Sequence, residues 1–414
     1  MENLKLFKSP IKRVDYLGHI FISLFIFLGF ACKTNYDKQN DTETIQLIDP
    51  NATTETRALY ANLRKISDEH ILFGHQDDLA YGFKWIDEPG RSDVMEVAGS
   101  YPAVYGWELG HLEHGAEVNL DNVNFEKMKS WIIEGHQRGG IITISWHMDN
   151  IVTGGSTWDI EHDYNVVAEM IPGGDKHDDY KIWLDRFYVF IQDLISIDEQ
   201  GNDYVIPIIF RPWHEHNGGW FWWGKGNTTE EDFISLWRFT VEYLRDVKGI
   251  NNLIWAYSSH RMPIDIDNFE QDYNYGYPGD DYVDIIGLDN YWDVGHPKNI
   301  TPKELQKEYF KRSLRYTVKI AQEKNKIAAL TETGRETIPE ANWWTEVLLP
   351  GLIADDYTRK ISYLLVWRNA NHEHDRPNHH YAPYPGHVSA EDFVDFRNHP
   401  VILFEDDLPD MYRY

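Results

Sequence analysis

Cysteine is nearly absent from this chain. Its one copy, Cys32, excludes an intrachain disulfide and a thiolate metal cluster. Basic residues are scarce too. Against 67 aspartates and glutamates stand 39 lysines and arginines, a formal net charge of −28 at pH 7 over 414 residues. Such a surface repels polyanions, so nucleic acid and acidic polysaccharides are poor partners and a neutral ligand is expected. Several enzyme signatures are missing. The first apolar run leads into Gly74–His75–Gln76–Asp77–Asp78 without a Gly-x-Gly-x-x-Gly, which weighs against a dinucleotide fold. No Gly-x-Ser-x-Gly elbow marks a serine hydrolase. His214–Glu215–His216 is not a zinc-protease motif, because Gly218 stands where the second histidine belongs. There is no internal repeat, no low-complexity tract and no linker to a second domain.

Aromatic side chains, by contrast, are abundant: 14% of residues, with 16 Trp and 25 Tyr. A large core absorbs part of them. A sugar cleft is the other use, since flat apolar sugar faces stack on rings. Eight short apolar runs read as buried parallel strands: Ile71–Phe73, Ala103–Trp107, Ile141–Trp146, Val205–Phe210, Leu253–Ser258, Val283–Leu288, Ile327–Thr331 and Ile361–Trp367. Stretches of helical period lie between them. Phe125, Met128, Trp131 and Ile132 share one face; so do Trp183, Phe187, Phe190, Ile191 and Leu194, and Phe233, Leu236, Trp237 and Thr240. Strand alternating with helix eight times predicts an α/β fold, a (β/α)₈ TIM barrel forming one catalytic domain over residues 53–414.

The N-terminus reads as an export segment. Lys5, Lys8, Lys12 and Arg13 precede an apolar run from Leu17 to Ala31, which is short for a membrane span. The small residue before Cys32 resembles a bacterial lipoprotein signal over residues 1–32, with Cys32 lipidated after cleavage. Gly29 departs from the aliphatic residue usual there. An ordinary signal peptide or a retained anchor helix is the alternative. Polar residues 33–52 read as a flexible tether. The protein is then exported and lipid-anchored, on the periplasmic or outer side of a Gram-negative cell, touching membrane only through its lipid.

Polar and aromatic residues gather at the C-terminal ends of the predicted strands, where a barrel of this class carries its chemistry. His147, Arg211, His214, Tyr291, Trp367 and Arg368 all fall there. Two glutamates stand out. Glu215 follows Val205–Phe210, and Glu332 ends Ile327–Thr331. Glycosidic cleavage needs one carboxyl that holds a proton for the leaving oxygen and one carboxylate that attacks the anomeric carbon or activates water. Period-2 alternation puts Arg211, Trp213 and Glu215 on one face, with the guanidinium beside the carboxylate pair. Arg211 should keep one carboxylate ionised while that carboxylate raises the pKa of its neighbour. The Trp-rich stretch after Gly218 and Gly219 is expected to fold over the cleft.

The segment Arg211–Pro212–Trp213–His214–Glu215, continued by His216–Asn217–Gly218–Gly219–Trp220, resembles the acid/base signature of glycoside hydrolase family 26, the β-mannanases of the large retaining (β/α)₈ clan. Thr331–Glu332–Thr333–Gly334 resembles its nucleophile strand. Leu72–Gln76, Trp146–Asp149, Asp289–Tyr291 and Val366–Arg368 follow in family order, so the resemblance spans roughly residues 55 to 410. It implies that Glu215 is the acid/base and Glu332 the nucleophile, with Tyr291 orienting the nucleophile. It also implies that His214 touches the −1 sugar, that His147 and Trp367 line the −1 site, that Trp220 faces the leaving side and that Arg368 binds the −2 sugar. Retention, and a β-mannan or manno-oligosaccharide substrate, are implied by the resemblance alone.

Other readings remain beside it. A β-glucanase or β-xylanase would share the catalytic pair, and a sugar-binding lipoprotein would keep the aromatics but lose one glutamate. His372, His374, Asp375, His379 and His380 form a dense cluster that reads as a polar cleft edge. No metal, no cofactor and a monomeric state are expected. An endo-acting enzyme has an open cleft, whereas a mannobiose-releasing one closes it beyond −2. The loops Gly110–Val123 and Asn371–His380 are the candidates for such closure.

Overall fold

The computed structural model describes residues 46–198, 200–376 and 378–414. The expected signal segment, Cys32 and the tether up to residue 45 lie outside the described residues. Eight parallel strands close into a barrel. They are β1 (Ile71–Gln76), β2 (Val104–Glu108), β3 (Ile141–Ser145), β4 (Ile208–Arg211), β5 (Leu253–His260), β6 (Ile285–Asn290), β7 (Ile327–Thr333) and β8 (Ile361–Val366). Each pairs with the next, and β8 pairs back onto β1 through Leu72 opposite Tyr363. All eight predicted runs are present. Val205 is displaced: it ends a short strand, Asp203–Val205, paired antiparallel with Ile195–Ile197.

The main helices are α1 (Thr54–Ile66), α2 (Phe125–Gln137), α3 (His177–Gln192), α4 (Glu230–Glu242), α5 (Lys303–Glu323) and α6 (Ala390–Arg397). Thr53 caps α1, its hydroxyl accepting from Thr56 N at 3.2 Å. Asn124 and Thr229 cap α2 and α4 in the same way. The predicted apolar faces of α2, α3 and α4 turn onto the barrel.

The alternation of the strands builds two shells. Outward residues such as Phe73, Trp107, Ile144, Phe210, Trp255 and Leu288 pack under the helices. Inward residues near the strand starts, among them Leu72, Ile141, Ile254 and Tyr363, pack with Leu59, Tyr60 and Leu63 of α1, which closes the N-terminal mouth. Each such buried aliphatic contributes about 1.5–3 kcal/mol. Leu47 and Ala52 join this cluster, and Ile48 N donates to Asp284 Oδ1 at 2.8 Å. Residues 46–52, read as tether from their polarity, are therefore fixed to the barrel floor.

Higher up, inward positions become small and polar. A Cβ at Gly106 would stand 2.0 Å from the Gln76 side chain, and one at Gly287 would stand 2.7 Å from Thr331. This space lets polar side chains sink between the strand ends. Among the described residues, no helix is long and apolar enough to cross a membrane.

Candidate active site

Glu215 and Glu332 meet at the C-terminal mouth, but neither arrives by plain alternation. β4 ends at Arg211, and the chain then turns through Trp213 (φ 52°) and Glu215 (φ 53°), both left-handed. Such conformations cost non-glycine residues about 1–3 kcal/mol each and cluster at functional sites. The turn sends Trp213 outward, against Trp222 and Trp223, with its indole N–H on Thr240 Oγ1 at 3.2 Å. The expectation that Trp213 shares the face of Arg211 and Glu215 is thus corrected. The expected fold-over of the Trp-rich stretch holds only for Trp220; Trp222 and Trp223 are core residues.

Glu332 is aimed by a bulge. Gly287 pairs with Ala329, but Asp289 pairs with Glu332, so β7 carries one extra residue there. Two consecutive side chains therefore face inward. Thr331 Oγ1 donates to Asp289 Oδ1 at 2.7 Å, and Glu332 receives Tyr291 Oη at 2.8 Å and the Arg211 guanidinium. Arg211 also donates to Asp289 Oδ2 at 2.9 Å and to Ser258 Oγ at 3.1 Å. On the other side, Trp220 Nε1 donates to Glu215 Oε2 at 2.8 Å, and His260 Nε2 lies 3.7 Å from Glu215 Oε1.

Carboxyl oxygens of Glu215, Asp289 and Glu332 all lie within 4.8 Å of one another. Three buried carboxyls share one arginine, so they cannot all ionise freely. Burial first, and then the neighbouring Glu332, push the Glu215 carboxyl up to about 8. Burial raises Asp289 to about 7 against the pull of Arg211, with Glu332 and Glu215 adding to the rise. The arginine sits directly on Glu332. With its carboxyl raised to about 8, Glu215 holds a proton at neutral pH beside Glu332, to which Arg211 is bonded.

Beside the cleft stands a histidine pair, the His147 ring 6.3 Å from that of Trp367. His147 Nδ1 lies 2.8 Å from Glu108 Oε2, and its Nε2 lies 3.0 Å from His214 Nε2. Glu108 is fully buried and also accepts from His147 N, Gly110 N and Ser145 Oγ. Burial alone would raise Glu108, but His147 and these donors hold it down to about 2. Glu108 in turn raises His147 against its burial. His214 is lowered well below its ordinary value by burial and by the Arg211 and His147 charges. Glu108 thus favours a proton on His147, whereas burial and the neighbouring charges disfavour one on His214, which makes His214 the better acceptor of the pair.

The cleft holds about 450 Å³ and is lined by Glu215, Trp220, His260, Tyr291, Glu332 and Trp367, among others, but not by His147 or His214. Arg368 lies to one side. Its Nη nitrogens are held by Asp121 at 2.7 Å and Asp375 at 2.6 Å, and among the described residues its Nε has no hydrogen-bond partner. The histidine-rich stretch is dispersed: His379 pairs with Glu336, and His380 with His387. Glu108, Asp289, His260 and Trp158 are site neighbours to which sequence reasoning assigned no role. Glu108, Asp289 and His260 carried a signal, being polar residues at strand ends. Trp158, 52% exposed with its ring 5.7 Å from His147, lies in a loop and carried none.

The model of glycosyl hydrolase family 26 matches residues 48–348. A mannan endo-1,4-β-mannosidase of Bifidobacterium adolescentis is 34% identical over 70% of this chain, though the match spans only 28% of that protein. One from Bacillus subtilis is 28% identical over 63% of this chain and 70% of its own length. The structure of a family 26 β-mannanase from Bacteroides ovatus superposes with a TM-score of 0.78 at 41% identity, covering 87% of this chain and 98% of that one. A modular endo-β-1,4-mannanase from Cellulomonas fimi superposes at 0.77 with 32% identity, over 89% of this chain and 79% of that one. With the barrel, the carboxyl constellation and these matches in agreement, the chain belongs to glycosyl hydrolase family 26.

Proposed function

We propose that this protein hydrolyses β-1,4-mannosidic bonds with retention, Glu332 acting as nucleophile and Glu215 as acid/base. The observation that carries the reading is the pair itself: carboxyl oxygens within 4.8 Å, one bound by Arg211 and Tyr291, the other protonated at neutral pH. Retaining pairs are about 5–5.5 Å apart and inverting pairs about 6.5–9.5 Å, and only the closer spacing fits. Glu332 attacks the anomeric carbon while Glu215 gives its proton to the departing oxygen. The ester that forms is then opened by a water that Glu215 deprotonates. Arg211 and Tyr291 hold the Glu332 oxygens in place, and Trp220 orients Glu215. His147 and Trp367 line the −1 site, His214 contacts the same sugar, and Arg368 serves the −2 side. The substrate assignment follows the mannan endo-1,4-β-mannosidases among the relatives.

Azide rescue tests the roles. Glu332→Ala with azide should return an α-mannosyl azide and Glu215→Ala a β-mannosyl azide. The reverse pattern, or substantial activity in Glu332→Ala without azide, would sink the assignment.

The same reading extends to product length. The loops after β2 and β8 are tied by Arg368 to Asp121 and by Asn371 Nδ2 to the Asp121 carbonyl at 3.3 Å. A cleft closed there releases mannobiose. Early products from mannohexaose decide it: mannobiose alone supports closure, and a ladder of sizes supports an open endo-acting cleft. Turnover of a β-glucan or β-xylan instead would keep the mechanism and move the substrate. Export with a lipid on Cys32 rests on the sequence pattern. Labelled fatty acid should enter the wild type and not Cys32→Ala.

A further inference from the structure

Beyond the cleft, His114, Glu113 and Asp149 converge within 4.8 Å of one another on the rim loops after β2 and β3, with His111 beside Asp149. His111 precedes the short turn Leu112–His114, which contains Glu113, and Asp149 follows His147 by two residues. His114 Nε2 lies 3.0 Å from Asp149 Oδ2 and 3.8 Å from Glu113 Oε1. His111 Nε2 lies 3.9 Å from the same Asp149 oxygen. Donors about 2.1 Å from one tetrahedral zinc ion stand roughly 3.4 Å apart, and the observed spacings bracket that value. Imidazole and carboxylate together suit a borderline divalent transition ion.

The cluster is held in place. Buried Glu113 accepts Trp146 Nε1 and Asp149 N, each at 2.8 Å, and the His114 ring meets Trp183 at 5.7 Å. Charge points the same way. Among the described residues, the ion pairs of Glu113 and Asp149 are with histidines alone, and the Arg186 guanidinium is held on the Glu113 main-chain carbonyl rather than on its carboxylate. Asp149 and His114 remain open enough to water for an ion to enter.

We propose that His111, Glu113, His114 and Asp149 form a divalent transition-metal site that pins the loop after β2 to the loop carrying His147. The test is calorimetric titration of the full chain with zinc chloride, after chelation and desalting, alongside melting curves. Saturable binding of one zinc per chain is expected, with a raised melting temperature. Affinity should fall at least roughly tenfold in His114→Ala and in His111→Ala. The surface variant His372→Ala/His374→Ala should bind as the wild type does. Circular dichroism separates lost binding from lost fold, and Asp149→Asn gives a second, milder variant. No saturable binding overturns the site. So does zinc binding that survives both rim variants but disappears in Glu215→Gln, which would move the ion to the barrel carboxylates.

Discussion

Removing the Glu332 charge should release the proton that Glu215 holds. Two unit charges 4.8 Å apart, the outer limit of the carboxyl spacing, repel by about 3.5 kcal/mol at an effective dielectric near 20, or about 2.5 pKa units. Arg211 cancels part of this. In Glu332→Gln the Glu215 carboxyl should therefore fall by about two units from its position near 8. Burial keeps it above an ordinary carboxyl. Carbon-13 titration of glutamate carboxyls reads it directly, with Glu215→Gln to assign the signal. A shift below about half a unit would mean that burial alone sets the value and that the two groups are not coupled. The sign also fixes the pH profile. Glu215 must carry a proton to act as acid, so kcat/KM of the wild type should fall as pH rises through about 8. The same coupling serves both halves of the reaction: once Glu332 is esterified its charge is gone, and Glu215 becomes the base that the second step needs.

Three further outcomes follow from the geometry. Tyr291→Phe removes the 2.8 Å bond to Glu332 and should lower kcat roughly 10- to 150-fold, as loss of a charged hydrogen bond does; an unchanged kcat would refute its role at the nucleophile. His147→Ala strands the buried Glu108 carboxylate and should cost about 3–5 kcal/mol in urea unfolding; a loss below about 1 kcal/mol would mean that this ion pair is not formed. Trp158→Ala removes an exposed ring beside His147 and should raise KM about 2- to 12-fold with no change in melting temperature; equal KM would place the sugar elsewhere.

The barrel was legible because parallel strands buried on both faces read as short apolar runs, and each of the eight runs recurs as a strand. Glu215 and Glu332 were legible as charges ending such runs. What alternation could not give was their aim. It placed Trp213 in the cleft, but a left-handed turn drives that ring into the helix layer. It also left Glu332 out of phase with Ala329, and only the extra residue in β7 brings it inward. Glu108 was one polar strand end among many, because its importance lies in four donors that come from two other loop and strand segments. The end of the tether was misjudged for a related reason. Residues 46–52 read as part of the polar stretch before them, although Leu47 and Ala52 join the floor cluster and Ile48 N bonds Asp284, more than 200 positions away.

The α1 plug also sets when the fold can be finished. Its partners come from nearly every strand and from the far end of the chain. Tyr60 Oη donates to the Asp284 carbonyl at 3.0 Å, and Asn62 Nδ2 reaches the Met411 carbonyl at 3.1 Å and that of Arg413 at 2.8 Å. Contacts this distant in sequence form late, because the loops they close are expensive in entropy. During synthesis α1 emerges before any of these partners, and the floor cannot seal until Met411 and Arg413 have followed. Removing residues 411–414 should therefore loosen the barrel from the end opposite its chemistry.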